Sequence, residues 1–336
     1  MRRSNRVFLA VLVPAAFVST ASAQSEPLEI TLNLKEGQVF RYRITHEQEQ
    51  EAQLSGLQPI KTRMRITSDM THTVAGVASD GTTTVNMKYD RLAVQMRAGV
   101  TRIDYDSAGQ EPAENDVVAK MYGAIVGKQI QARFSREGRC IDVTGFGEIV
   151  PEMVKAWPEA AGIADVLKET FSDEATRSMF AKLYPRLPEK PIKPGDIWAD
   201  EAKASVPAIG AVTTKLSSQF VGIETVAGRR CARLNKTGQI STEGGAVDLS
   251  KVVGTGAGPL GLVKTDLHME DSRIAGHTCI DVETGYQVQT QTDFEMSMKL
   301  TLEMPVPDPA GAGSTNTIRM TQNIKSKASM TMELIE

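Results

Sequence analysis

Cysteine, histidine and recognisable catalytic motifs are all scarce in this chain, and each scarcity removes a class of function. Only Cys140, Cys231 and Cys279 occur among 336 residues, so at most one internal bridge can form and a disulfide-built scaffold is excluded. If a bridge forms, Cys231 with Cys279 is the expected pair, since both lie in the second half; three small buried hydrophobes is the equal alternative. The histidines are His46, His72, His268 and His277. His46 begins HEQEQ, which lacks the second histidine of a zinc helix. His268 with Glu270 and Asp271, or His277 with Cys279, supply only fragments of a metal site. There is no GxSxG elbow, no Walker loop and no CxxC, which leaves no motif for a serine hydrolase, a nucleotide hydrolase or a haem attachment. Asp142 and Asp281 stand shortly before Thr-Gly or Glu-Thr-Gly and read as turn residues bonding backbone, not as catalytic acids. No enzymatic activity, no cofactor and no metal are expected.

Long apolar runs are equally rare. The one clear run, Val7 to Val18, is preceded by Arg2, Arg3 and Arg6 and followed by Ala21, Ser22 and Ala23. That is the pattern of a secretory signal peptide cleaved after Ala23. It falls short of the roughly 20 apolar residues of a transmembrane helix, and no later stretch comes closer. The expectation is Sec export of residues 24–336 to the periplasm or beyond, with no integral membrane span. Cleavage removes three arginines and no acids, turning 38 basic and 41 acidic residues into 35 and 41, so the net charge moves from −3 to −6. Lysines and arginines are scattered among acids, with no basic stripe, so nucleic acid is not an expected partner.

What the chain has is alternation. Phe294, Met296, Met298, Leu300, Leu302 and Met304 interleave with Glu295, Ser297, Lys299, Thr301 and Glu303, the period-2 pattern of a half-buried strand. A second run places Ile318, Met320, Ile324, Ala328, Met330, Met332 and Leu334 on one parity, and the Pro- and Gly-containing stretch Pro305 to Asn316 between them predicts a long hairpin loop. Similar strand patterns occur at Val39–Thr45, Arg63–Thr73, Thr83–Tyr89, Leu92–Met96, Gln129–Phe134, Lys215–Val221, Arg230–Leu234 and Tyr286–Thr292. Helical spacing is confined to Val117–Val126, with Gly127 as its stop, and to about Glu148–Leu183, where Pro151, Pro158 and Gly162 should break the helix. Trp157 and Trp198 read as core or interface aromatics.

The segment YPRLPEKPIKPG, Tyr184 to Gly195, resists helix and central strand and marks a seam. Short matches recur across it in order. Lys35-Glu36-Gly37-Gln38-Val39-Phe40 is answered by Lys193-Pro194-Gly195-Asp196-Ile197-Trp198; Val74-Ala75-Gly76-Val77 by Phe220-Val221-Gly222-Ile223; and Cys140-Ile141-Asp142-Val143 by Cys279-Ile280-Asp281-Val282. The expected organisation is a first β repeat over 24–183 with a helical insert, a junction over 184–194, and a second repeat over 195–336 ending in a long hairpin. The fold class is mainly β (α+β), antiparallel curved sheets from an internal duplication, with a few helices covering one face or end.

KEGQVFRYRI, PEKPIKPGDIW and CIDVETG, together with the N-terminal signal pattern, resemble an uncharacterised family of secreted bacterial proteins common in planctomycetes. At the level of fold the chain is also similar to lipoprotein carriers such as LolA, a likeness that implies a half-barrel sheet holding an acyl chain. Met296, Met298, Met320, Met330 and Met332, on one side of the expected hairpin, are the candidate ligand-binding residues. Thioethers on a strand face suit a packed core, an adaptable wall for a lipid or other apolar small molecule, or a copper(I) site, in that order. The expected function is binding of a hydrophobic ligand, with a structural or interaction role in the cell envelope as the alternative.

Overall fold

The computed structural model describes residues 26–54, 58–109, 117–156, 172, 176–177, 180, 184, 187–206, 210–242, 264–307 and 315–336. The expected signal peptide 1–23, Trp157, the helix breaks expected at Pro158 and Gly162, and most of the helix expected before Leu183 lie outside the described residues. Within them the chain forms β1 (Val39–Leu54), β2 (Ile60–Val77), β3 (Thr83–Ala98), β4 (Thr101–Asp106), α1 (Val117–Gly123), β5 (Gln129–Phe134), β6 (Cys140–Thr144) and α2 (Phe146–Ala156). After the Pro-rich junction come β7 (Ile197–Val206), β8 (Gly210–Val226), β9 (Arg229–Thr242), β10 (Lys264–Asp281), β11 (Gln287–Pro307) and β12 (Thr315–Leu334).

All twelve strands join one antiparallel sheet in the order β6-β5-β3-β2-β1-β12-β11-β10-β9-β8-β7, with β4 beside the outer half of β3. The mainly β, antiparallel, curved character is as expected. The halves do not form separate sheets, however. The last strand returns to pair with the first from Tyr42↔Leu334 to Leu54↔Gln322 and stitches them into a continuous surface.

Register sorts the side chains onto two faces. On β1, β2, β12 and β11 one face carries Tyr42, Met70, Leu334 and their like. The other carries cross-strand ion pairs: Arg65–Glu47 at 3.4 Å, Arg63–Glu49 at 2.8 Å, Lys61–Glu51 at 3.3 Å and Lys327–Glu295 at 2.7 Å. Such exposed pairs contribute about 1 kcal/mol or less each, so their weight lies in marking the wet face. The apolar face turns inward: Phe134 of β5 and Phe220 of β8, near opposite ends of the strand order, belong to one buried cluster with Phe40, Val85, Leu234, Ile280 and Met332. Only a sheet curled around that face brings them together. The cluster is closed by Ile30, Leu32 and Leu34 of the N-terminal segment, which bonds Arg136 and Thr284 across both halves, and by Phe146, Ile149 and Met153 of α2. Leu92, Val94 and Tyr105 form a second cluster with Ala119 of α1.

The first two repeated segments coincide bond for bond. The Lys35 amide donates to Gln38 Oε1 and the Lys193 amide to Asp196 Oδ2, both at 2.7 Å. Gly37 N–H donates to Val74 O and Gly195 N–H to Phe220 O, at 2.9 and 2.8 Å. The glycines share positive φ, +81° and +97°, which only glycine adopts without strain. Both hairpins then carry a bulge at the matching place, Val74/Gly76 and Phe220/Gly222. The third pair diverges: Cys140 opens β6, two strands from β3, whereas Cys279 sits near the end of β10, adjacent to β9.

Several local expectations change. Pro151 does not break a helix: it stands at the middle of α2, where its missing N–H costs one bond while Ile149, Val150 and Met153 stay packed. Thr83–Tyr89 and Leu92–Met96 are one strand, bulged at Asp90. The expected loop Pro305–Asn316 is shorter, since β11 and β12 pair out to Pro307↔Thr315.

Candidate functional site

The sealed end of the sheet is well packed but not wholly apolar. His72, fully buried, places Nδ1 3.0 Å from the Tyr286 hydroxyl, and its Nε2 has no hydrogen-bond partner among the described residues. Burial pushes the imidazole down to about 3, so it is neutral at any physiological pH. Tyr42 donates to the Gln287 carbonyl at 2.5 Å, and burial raises the Tyr42, Tyr184 and Tyr286 hydroxyls above the phenol range. Beside Tyr184, Tyr286 and Gln287 lies a cavity of about 20 Å³. That is room for one water and none for a lipid, so the sealed end is structural. An open cleft of about 740 Å³ near Cys140 is lined by Glu137, Arg139, Arg177 and Glu189, charges that do not suit an apolar ligand.

Beyond the sealed end the inner face is half-buried instead of closed. Met296, Met298, Met320 and Met330 are half-buried there, and Met332 is buried where the face meets the core. Register places all five on one face: Thr290↔Met332, Thr292↔Met330, Met296↔Ser326, Met298↔Ile324 and Leu302↔Met320. At a strand rise of about 3.3 Å per residue, Met332 to Met320 spans roughly 40 Å, so they form a stripe along the sheet, not one pocket. The Met304 side chain lies outside the described residues. Sequence reasoning missed the stripe's neighbours. Met269 faces Met298 across β10 and β11, and Met64 faces Met96 across β2 and β3, so the methionine face crosses both halves. Gln48, Gln50, Gln322 and Ser326 interrupt it, with Gln48 Nε2 donating to Ser326 Oγ at 3.3 Å.

The cysteines are free thiols, all buried. Cys231 and Cys279 share a small cluster with Val288, and Cys279 donates to Glu224 Oε1 at 3.0 Å. Burial pushes the thiols up, to about 11 at Cys140 and Cys231 and about 12 at Cys279, leaving them protonated and poorly nucleophilic at neutral pH. Among the described residues no three His, Cys, Asp or Glu side chains are grouped to hold a metal, and no helix is long and apolar enough to cross a membrane. Asn235-Lys236-Thr237 lies mid-strand in β9, paired on both sides.

A protein-family model described as a family of unknown function, DUF6263, matches residues 80–253, slightly more than half of the chain. No curated protein matches it. Among solved structures, lipovitellin, studied for its lipid–protein interactions, is similar at 8% identity and a TM-score of 0.40, over 90% of this chain and 25% of lipovitellin. The chain thus spans about a quarter of that protein's length. An exported protein with a YmcC-like fold from Bacteroides fragilis aligns at 9% identity and a TM-score of 0.21, over 78% of this chain and 91% of its own. The OccK7 (OpdD) protein of Pseudomonas aeruginosa aligns at 7% and 0.22, over 88% and 99%.

Proposed function

The chain belongs to the family of unknown function DUF6263, whose description names no activity, and from its inner face we propose that it is a non-catalytic exported protein that holds a lipid or other apolar ligand along the methionine-bearing sheet. One observation carries the reading. The sheet is closed and packed at one end, yet beyond it Met296, Met298, Met320 and Met330 on the same inward face are half-buried while the outer face carries ion pairs. A half-buried apolar face on the concave side of a curved sheet offers an acyl chain a wall to lie against, and unbranched thioethers fit its irregular shape without a fixed rotamer. Charges on the convex face direct that side to water, the reverse of an outer-membrane barrel, whose outer band is apolar. Export through the N-terminal segment fits this role, since lipids crossing an aqueous compartment need a protein to cover their chains.

Native mass spectrometry of residues 24–336, prepared from a periplasmic fraction without detergent, tests this. The expected result is an added mass that survives desalting, vanishes on denaturation and is identified as lipid in an organic extract. A clean apo mass that takes up nothing from a lipid extract overturns the carrier reading and leaves an envelope interaction role.

A further inference from the structure

The inner face of β9 carries Ala232, Leu234, Lys236, Gly238 and Ile240 by strand parity, one charged residue among apolar ones. Lys236 is only 8% exposed. No carboxylate among the described residues lies within ion-pair range of its amine, and desolvation alone brings it down to about 8. An amine taken out of water without a counter-charge is expensive, and a strand of this length offers many positions where lysine would cost nothing.

Lys236 stands in a cross-strand row of the inner face. Its partners across the ladders are Ser218 on β8 and Gly276 on β10, and the same row continues through Thr292 to Met330. Gly276 stands in that row and Gly238 in the next one along β9, and at both the neighbouring strand's backbone comes too close for a side chain. A Cβ at Gly276 would stand 2.1 Å from the Gln291 carbonyl, and one at Gly238 2.4 Å from that of Lys215. Below the row lie buried Leu234, Phe220 and Thr278; beyond it stand Ile274, Phe294 and Met296, leading into the methionine stripe.

We propose that Lys236 is the headgroup-recognition residue of the inner face, pairing with the carboxylate of a long-chain fatty acid whose tail runs along the methionine stripe. This rests on the lipid-binding reading and sharpens it. A single amine balances a single negative charge. The tight burial around it admits the smallest monoanionic head, a carboxylate, ahead of a glycerol-bearing phosphodiester of the same charge.

The test compares palmitate with hexadecanol, and phosphatidylglycerol with diacylglycerol, by titration into delipidated residues 24–336 and native mass spectrometry, for wild type and Lys236→Met. The substitution keeps stem length and apolarity and removes a desolvated charge, so the variant is expected to fold; circular dichroism checks this. Palmitate should bind wild type about tenfold or more tighter than hexadecanol, the scale of a charge-assisted hydrogen bond. Lys236→Met should lose that preference, palmitate binding no tighter than hexadecanol. Equal binding of palmitate and hexadecanol by wild type overturns the headgroup assignment even if the variant misfolds, and so does a preference that survives in the variant. Retention of phosphatidylglycerol without palmitate overturns the carboxylate. Retention of none of the four overturns the lipid reading itself.

Discussion

At the scale of single residues, the sealed end makes its clearest statement through His72. Its folded value of about 3 lies below the ordinary 6.5 because burial disfavours the imidazolium. The unfolded chain therefore binds more protons between those values, and stability falls as pH drops from about 6.5 toward 3. Between pH 7 and pH 5 this amounts to about 2 kcal/mol. Urea unfolding at the two pH values should show that loss in wild type and a smaller one in His72→Gln; equal slopes would remove His72 as the acid-sensitive group. The thiols give a second check. With all three buried and protonated, a thiol reagent should find none in the native protein and three in urea. A count of one after denaturation would show that Cys231 and Cys279 are joined. His72 and Lys236 are visible in the sequence only as polar residues on an otherwise apolar parity, and Lys236 is masked further by Asn235 and Gly238, which make its surroundings look like a turn.

At the scale of elements, the strands were legible wherever alternation was clean and were cut short wherever the inner face turns polar. The expected first strand stopped at Thr45, whereas β1 runs to Leu54, because Gln48 and Gln50 occupy inward positions and break the apolar rhythm. Backbone pairing on both sides holds the strand where its side chains no longer announce it. The hairpin joining β8 and β9 is a two-residue turn, with φ of +48° at Ala227 and +74° at Gly228. Alanine is strained in the left-handed region, and asparagine is the favoured residue there. Ala227→Asn should raise stability by about 1 kcal/mol in denaturant unfolding; no gain would place the strain elsewhere. Gly276→Ala should do the opposite and cost several kcal/mol or prevent folding, because its Cβ has no space beside the Gln291 carbonyl.

At the scale of the whole molecule, the decisive pairing is β1 with β12, which makes the two repeats one sheet around one core. Residues 24–183 and 195–336 produced apart should each expose an unpaired edge and part of the shared cluster, and aggregate; produced together they should recover a soluble one-to-one complex. A soluble, cooperatively folding half alone would show that the repeats have separate cores. The sequence by itself determined the β class, the place of the long hairpin, the strand faces and the matched segments Gly37/Gly195 and Val74/Phe220, because each is a local matter of period, turn chemistry and backbone freedom. Tertiary structure alone decided that the halves share a sheet, that the methionine face of β11 and β12 continues through Met269 and Met64, and that Lys236 is buried with no carboxylate partner among the described residues. Those depend on which strands meet and how tightly the sheet curls, and such long-range pairings leave no periodic mark on the chain.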